Sequence, residues 1–392
     1  MRIALVADVF PPVRSSGAVQ LRDLAIELAK LGHNVTVLIP DADIDTPWHL
    51  ETINSVSVLR LRAYKTRDMS YVRRTLSELA MPFIMRRNFK KSHLADTGFD
   101  GVVWYSPSIF FGPFVNWLKK KNGCRSYLIL RDIFPEWAAD MGLMNRGPVF
   151  RFFKHIASFQ YTVADVIGIQ TPGNIEYFQD NADLKPKIEV LHNWLAPMKP
   201  GACSIDISGS PLNGRRIFVY AGNMGVAQGM GVLLDLAQSV VADTSIGFVF
   251  VGRGSDVEQL KAESKARGLD NVLFFDEIEP EEIAGLYAQT NVGLVSLDPR
   301  HRTHNIPGKF ISYMHCGLPV LAFINAENDL ESLITEQQVG VASSEYQNAD
   351  LRALVSEAIE ISKLPETSVR CKKLADTMFS SNAAAQQVVT AL

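Results

Sequence analysis

Arg131 and Asp132 directly follow the apolar run YLIL, and Glu136 comes four residues after Asp132 in RDIFPEW. A carboxylate in such a loop can orient a hydroxyl or accept its proton, and a planar guanidinium fork suits phosphate. The same residues also fit a structural Arg–Asp pair that closes a loop, but the neighbouring Phe134, Pro135 and Trp137 favour a site. Lys309 sits just inside a predicted helix start, behind Pro307 and Gly308 in HNIPGKF. Free N–H groups and a cation at a helix start favour phosphate, against the plainer reading of a lysine placed there for solubility.

Four further stretches have the layout of a strand, a tight turn and a helix. FPPVRSSG places Ser15, Ser16 and Gly17 before a helix, where serine caps N–H groups and glycine admits a close approach to the backbone. YAGNMGVAQGMG, with Asn223, Gln228 and Gly229, is a Gly-rich turn of the kind that cradles a diphosphate, or one that needs glycine only for its backbone angles. FVFVGRGSD puts Arg253 at the tip of another turn, and the loop after Phe275, around Ile278, has backbone groups to offer a base. An ordinary solvated loop explains these last two equally well.

These residues need a scaffold, and the sequence supplies its outline. Continuous apolar runs (RIALVA, VTVLI, GVVW, YLIL, VIGI, IEVL, then IFVYAG, GFVFVG, VLFF, VGLVS, PVLAF) alternate with helical patterns. Such strands imply parallel sheets covered on both faces, the α/β class. Leu21, Leu24, Ala25 and Leu28 mark one face of the first helix, and Gly32 suits its left-handed exit. Residues 196–214 are rich in Pro, Gly and Ser without helical period and read as a linker. The expected division is a Rossmann-like acceptor domain at 1–195 and a Rossmann-like donor domain at 215–392, with the final helix packing back on the first. Ligands bind beyond the carboxyl ends of such strands, so two facing domains would form a cleft.

A length of 392 residues suits two domains, and 47% hydrophobic with 21% charged residues describes a globular chain. Four scattered cysteines give neither a metal motif nor a disulfide framework and fit a reducing cytoplasm. The first residues read as a strand rather than a signal peptide, and no run of about 18 apolar residues is present. The net charge of −3 makes no case for nucleic acid. Residues 60–91 depart from this balance, with ten Arg or Lys against Asp68 and Glu78, interleaved with Tyr71, Val72, Leu76 and Phe83. This mixture fits an anionic membrane surface or a solvated helix pair with an apolar core side.

The order of FPPVRSSG, LGHNVTV, VLHNW, YAGNMGVAQGM, FVFVGRG, NVLFFDEI and PGKFISYMHCGLPVLA resembles the family-four retaining glycosyltransferases. The resemblance covers nearly the whole chain. LILRDIFPEWAADMGL and PGKFISYMHCGLPV look most like a branch of bacterial O-antigen and capsule clusters that includes N-acetylfucosamine transferases. It implies the GT-B fold, two doubly wound domains with the active site between them. It also implies a nucleoside-diphosphate sugar donor, UDP-linked, and a lipid-linked glycan acceptor, with no cofactor and no metal. The enzyme would work as a peripheral protein on the cytoplasmic face of the membrane. Catalytic roles would fall to Arg131, Asp132 and Lys309, and acceptor orientation to Glu136. Donor contacts would come from Gly17, Asn223, Gln228, Gly229, Arg253, Ile278, His304, Pro307, Gly308, Phe310 and Ser312.

The chain departs from the family where charge matters. The two carboxylates of the usual Glu-x7-Glu are replaced by His304 and Ser312, and no other acid than Asp298 lies between Ile283 and Ala326. The usual Arg and Lys of the Gly-rich turn fall at Asn223 and Gln228, and the usual His-Asp at Arg131–Asp132. A departing diphosphate needs cations or oriented N–H donors, which leaves Arg131, Arg253, Lys309, Arg300 and Arg302. Arg131 in place of histidine suits a 6-deoxy sugar, which lacks a hydroxyl at C6. Two other readings stay open: a GT-B nucleotide-sugar epimerase, and a degenerate module that binds a sugar nucleotide without turnover.

Overall fold

The computed structural model describes residues 1–13, 15–179, 186–199, 201–300, 304–345 and 350–392. The chain divides into two compact units, Met1–Leu195 with Ser381–Leu392, and Ala196–Ser380.

The strands of the first unit are β1 (Arg2–Val6), β2 (Asn34–Asp41), β3 (Trp48–Ile53), β4 (Val56–Arg62), β5 (Gly101–Ser106), β6 (Arg125–Leu130), β7 (Val166–Ile169) and β8 (Lys187–Val190). They form one sheet in the order β3-β4-β2-β1-β5-β6-β7-β8. All neighbours are parallel except β3, which runs antiparallel to β4. Alternate residues feed two cores: Val6, Leu38, Trp104 and Leu128 on one face, Leu5, Val37, Tyr105 and Ile129 on the other. Burial on both faces is why these strands read as unbroken apolar runs. The helix Ser16–Lys30 buries Leu21, Leu24, Ala25 and Leu28, as their spacing predicts. Ser15 caps it through Ala18 N–H, and Gly32 turns out of it at φ +84°.

The basic segment is not a pair of helices. Arg60 and Arg62 belong to β4, and a single helix, Tyr71–Phe89, follows with Pro82 inside it. Met81, Met85 and Phe89 bury one side of that helix, while Tyr71, Val72, Leu76 and Phe83 are exposed.

In the second unit β9 (Arg216–Ala221), β10 (Ile246–Val251), β11 (Val272–Phe275), β12 (Val292–Ser296), β13 (Val320–Phe323) and β14 (Gly340–Ser343) lie in the order β11-β10-β9-β12-β13-β14, all parallel. The segment read as a linker is packed on this unit rather than free. Ile205, Ile207 and Leu212 are buried, and the Gln289 amide holds Ile205 C=O and Ile207 N–H. Three apolar residues thus tie down a stretch whose composition alone suggested flexibility. The last helix, Ser381–Ala391, belongs to the first unit, where Ala384, Ala385 and Val388 enter the core behind helix Ser16–Lys30.

Strand order reverses direction beside β1, between β2 and β5, and beside β9, between β10 and β12. Those reversals are where ligands enter open α/β sheets. Among the described residues no helix is long and apolar enough to cross a membrane.

Candidate active site

At the carboxyl end of the first unit's sheet, Arg131 and Asp132 follow β6 as the sequence suggests, but the arginine is committed elsewhere. It is buried, its Nη1 donates to Leu191 C=O at 2.7 Å and its Nη2 to His192 C=O at 3.4 Å. The guanidinium lies 4.7 Å from the centre of the Trp194 ring. Desolvation lowers its pKa to about 10, so it stays charged at neutral pH. The fork expected to meet phosphate instead holds the backbone of LHNW, sixty residues away in sequence. Gln170 completes that clasp, its amide donating to Arg131 C=O while Asn193 donates to the Gln170 side chain.

Asp132 is different. Desolvation raises its carboxyl to about 6, Arg131 opposing and Asp8 adding to the rise. Glu136 opens a short helix, Glu136–Asp140, and is buried against Lys154, with which it forms an ion pair. One oxygen, Oε2, has no hydrogen-bond partner among the described residues. Gly17 has a local reason to be glycine: a Cβ there would lie 3.1 Å from the Tyr105 hydroxyl, which meets the Gln20 side chain at 3.3 Å.

In the second unit the expected residues gather around the end of β9. Lys309 is the second residue of helix Gly308–Cys316, which starts from Pro307. Its Nζ donates to the Tyr220 hydroxyl at 2.7 Å and lies 4.0 Å from that ring's centre. The Tyr220 hydroxyl in turn donates to Asn223 C=O at 2.6 Å. The helix start and the Gly-rich turn are thereby joined through one phenol, and Lys309 Cε comes 3.5 Å from where a Gly222 Cβ would stand. Desolvation lowers the Lys309 pKa to about 7, so an anion there would stabilise its charged form. Tyr220 was not singled out from the sequence, although it ends the apolar run just before the turn.

The turn itself is held by neutral groups. Asn223 Nδ2 and Gly225 N–H both donate to Gln228 Oε1, at 2.8 and 3.1 Å. Gly229 adopts φ +56°, and a Cβ there would meet the Asp298 backbone at 3.1 Å. Beside it Ser296 Oγ donates to Gln228 C=O at 2.6 Å, and Asp298 N–H to Ala227 C=O at 3.0 Å.

The remaining candidates divide by their contacts. Arg253 is exposed and meets Glu277 at 3.3 Å. Arg300 is held by both oxygens of Asp298, at 2.7 and 2.8 Å, and Arg302 lies outside the described residues. Each described arginine is already paired with an acid, which weakens its claim as a phosphate cation. His304 Nδ1 lies 3.5 Å from Asp329, the first residue of the next helix, so an acid does stand near the first carboxylate position. Ser312 Oγ donates back to Gly308 C=O at 3.2 Å. Ile278 is half-buried in the loop after β11. Phe310 is a core residue, buried edge-on against Phe379.

Residues 215–361 match the family model described as "Glycosyl transferases group 1". The second unit carries a group 1 glycosyltransferase domain. The chain is 22% identical over 249 residues to a Pseudomonas aeruginosa protein named probable glycosyltransferase WbjE, an alignment spanning 62% of each chain. It is 20% identical over 304 residues to WcaI of Escherichia coli K12, named as a colanic acid biosynthesis glycosyl transferase, spanning 74% of this chain and 73% of that one. The structure of HepE from Anabaena, solved with UDP and glucose, superposes with a TM-score of 0.68 at 13% identity, covering 100% of this chain and 98% of that one. The fold is GT-B, two parallel-sheet α/β domains. Lys309, Tyr220 and the Gly222–Gly229 turn all lie within the glycosyltransferase domain; Arg131, Asp132 and Glu136 lie outside the matched residues.

Proposed function

We propose that this chain is a retaining, metal-independent glycosyltransferase. It moves a sugar from a UDP-sugar to a lipid-linked glycan in surface-polysaccharide synthesis, at the inner face of the cytoplasmic membrane. The observation that carries the donor half is the meeting of Lys309 with the Gly-rich turn through Tyr220. A helix start and an ammonium with no carboxylate in ion-pair contact among the described residues suit a diphosphate better than any other common ligand. The UDP and glucose held by HepE, a protein of the same fold, support that choice, and the name of WcaI supports the polysaccharide setting.

In this reading the acceptor hydroxyl attacks the anomeric carbon from the side the diphosphate leaves. The new C–O bond forms as the bond to phosphate breaks, and the leaving phosphate oxygen takes the hydroxyl proton. Lys309, at the start of helix Gly308–Cys316, takes up the charge that develops on the diphosphate, and Asp132 aligns the sugar. Resemblance to the N-acetylfucosamine transferase branch makes an N-acetylated 6-deoxyhexosamine the donor sugar of choice. Because Arg131 faces backbone carbonyls, its position supplies no separate support for that sugar.

The membrane contact is assigned to helix Tyr71–Phe89. Val72, Leu76 and Phe83 are exposed at helical spacing along one side, and Arg73, Arg86, Arg87 and Lys90 are exposed around them. An apolar stripe flanked by exposed arginines complements an anionic lipid surface. Co-sedimentation with phosphatidylglycerol vesicles, lost on Leu76→Asp with Phe83→Asp and absent with phosphatidylcholine, tests that contact.

Incubating the protein with a panel of nucleotide sugars and a lipid-linked acceptor, with and without EDTA, tests the activity. A new α- or β-linkage that keeps the donor's anomeric configuration, formed equally with EDTA, is expected. An epimerised donor without acceptor, or binding without turnover, would overturn it.

A further inference from the structure

Tyr220, next to last in β9, is fully buried, and its ring stands edge-on to Phe250 of the neighbouring β10. A phenol at that depth needs an acceptor for its proton and can offer its oxygen to a donor. Both partners come from the donor site. Asn223 C=O takes the proton at 2.6 Å, and Lys309 Nζ donates to the oxygen at 2.7 Å. Burial pushes the phenol well above its usual pKa of 10, so it stays protonated and offers the lysine an acceptor without a counter-charge.

The helix that carries Lys309 is fixed to the same strand one turn further on. Tyr313, at i+4 and so on the same face as Lys309, is buried, and its hydroxyl lies 3.0 Å from Val219 C=O and 3.1 Å from Leu294 C=O. Gly293 makes room for that ring, because a Cβ there would come within 2.6 Å of it. Lys309 and Tyr313 thus pin one helix face to consecutive residues of β9, Tyr220 and Val219. The link continues into the Gly-rich turn, since Asn223 Nδ2 shares Gln228 Oε1 with Gly225 N–H.

We infer that Tyr220 is a positioning residue of the donor site: its hydroxyl holds the Lys309 amine in register with the Gly-rich turn before the diphosphate arrives. A lysine stem is long and rotates freely, and fixing it in advance removes part of the ordering cost of binding. The ring alone does not do this. It lies under the amine, with Nζ 4.0 Å from its centre, but only the hydroxyl joins Nζ to Asn223. Phenylalanine would keep the ring and lose the join. This rests on the donor reading above and deepens it by naming the residue through which Lys309 acts.

Calorimetric titration of the full chain with UDP, in wild type, Tyr220→Phe, Lys309→Met and the double variant, tests it. Tyr220→Phe should weaken UDP about tenfold, the scale of losing a hydrogen bond to a charged group. It should cost nothing further once Lys309 is methionine, because the phenol works through the lysine. The same loss in both backgrounds, or none in either, overturns the inference and leaves the donor reading standing. UDP that fails to bind the wild type overturns both. A second readout needs no ligand. The Lys309 ε-methylene proton signals, identified by their loss in Lys309→Met, should lie upfield in the wild type because of the ring beneath them. They should move toward the ordinary lysine position in Tyr220→Phe, and an unmoved signal counts against the hydroxyl. Should Tyr220→Phe not fold, the wild type still decides: an upfield signal supports the held amine, and an ordinary one overturns it.

Discussion

The ends of the two sheets hold charge in contrasting ways. In the first unit, ionisable groups are crowded together and poorly solvated: Asp8 and Asp132 are both raised by desolvation, Arg131 is lowered to about 10, and Glu136 is buried against Lys154. In the second unit, the turn is held by amides and backbone, the rim arginines are paired with Glu277 and Asp298, and Lys309 rests on a phenol. The first arrangement suits hydroxyls, which need groups that both donate and accept. The second suits a ligand that brings its own negative charge, because burying an ammonium without a counter-ion is tolerated best where an anion will arrive.

The most severe way to break this contrast is to remove the lysine. Lys309→Ala should lower kcat/KM by ~100-fold or more, the scale of losing a group that stabilises charge in the transition state. Titrating UDP by calorimetry should show weaker binding as well, and near-normal turnover would leave Lys309 only the structural link to Tyr220. Arg131→Ala should act on the other unit and by another route. Leu191 and His192 carbonyls lose a charged donor, at a cost of about 3 kcal/mol in stability. Urea denaturation would report it, with UDP affinity of the folded protein unchanged. If instead UDP binding fell with stability intact, the arginine would be a phosphate ligand after all.

That pair of predictions shows where reading the sequence reached its limit. Every apolar run from RIALVA to PVLAF is a strand, because parallel strands buried on both faces leave no polar gaps. The strands that went unread are β3 (WHLETI), β4 (VSVLRLR) and β14 (GVAS), short or interrupted by polar residues and at or next to a sheet edge. The helix start at Lys309 was legible because Pro-Gly before a helix is a local signal. The partners of Arg131 were not, since its carbonyls lie sixty residues downstream and only the pairing of β6, β7 and β8 brings them near.

A gentler probe sets the two units against each other by pH. Asp132, raised from 3.8 to about 6, keeps a proton in the folded chain that the unfolded chain has released. Stability from this group is therefore full at low pH and is lost as pH rises from about 4 to about 6. Lys309, lowered from 10.5 to about 7, has the opposite sense: folded protein releases a proton that the unfolded chain keeps. Its contribution grows as pH rises from about 7 to 10.5. Thermal melts of wild type against Asp132→Asn should diverge in the acidic window, and against Lys309→Met in the alkaline one. UDP binding at pH 8 should also take up a proton, seen as a binding enthalpy that varies between Tris and phosphate buffers and ceases to vary in Lys309→Met.

The smallest effect expected is at Ser312, and it decides how far the donor site has been remade. The family's carboxylate at this position would hold a ribose hydroxyl through a charged acceptor. Serine offers a neutral one and already spends its proton on Gly308 C=O at 3.2 Å. Its oxygen still has lone pairs, so it accepts a ribose hydroxyl without breaking that bond. A neutral hydrogen bond of this kind contributes about 1 kcal/mol, so Ser312→Ala should weaken UDP less than tenfold. The 2′-deoxy and 3′-deoxy analogues should lose the same factor in wild type and nothing further in the variant. Ser312→Glu should tighten UDP if the ribose lies against this turn of the helix, because a charged acceptor roughly doubles the bond. Should both substitutions leave UDP affinity untouched, the ribose is held elsewhere. His304 with Asp329, 3.5 Å apart at the other carboxylate position, becomes the place to look.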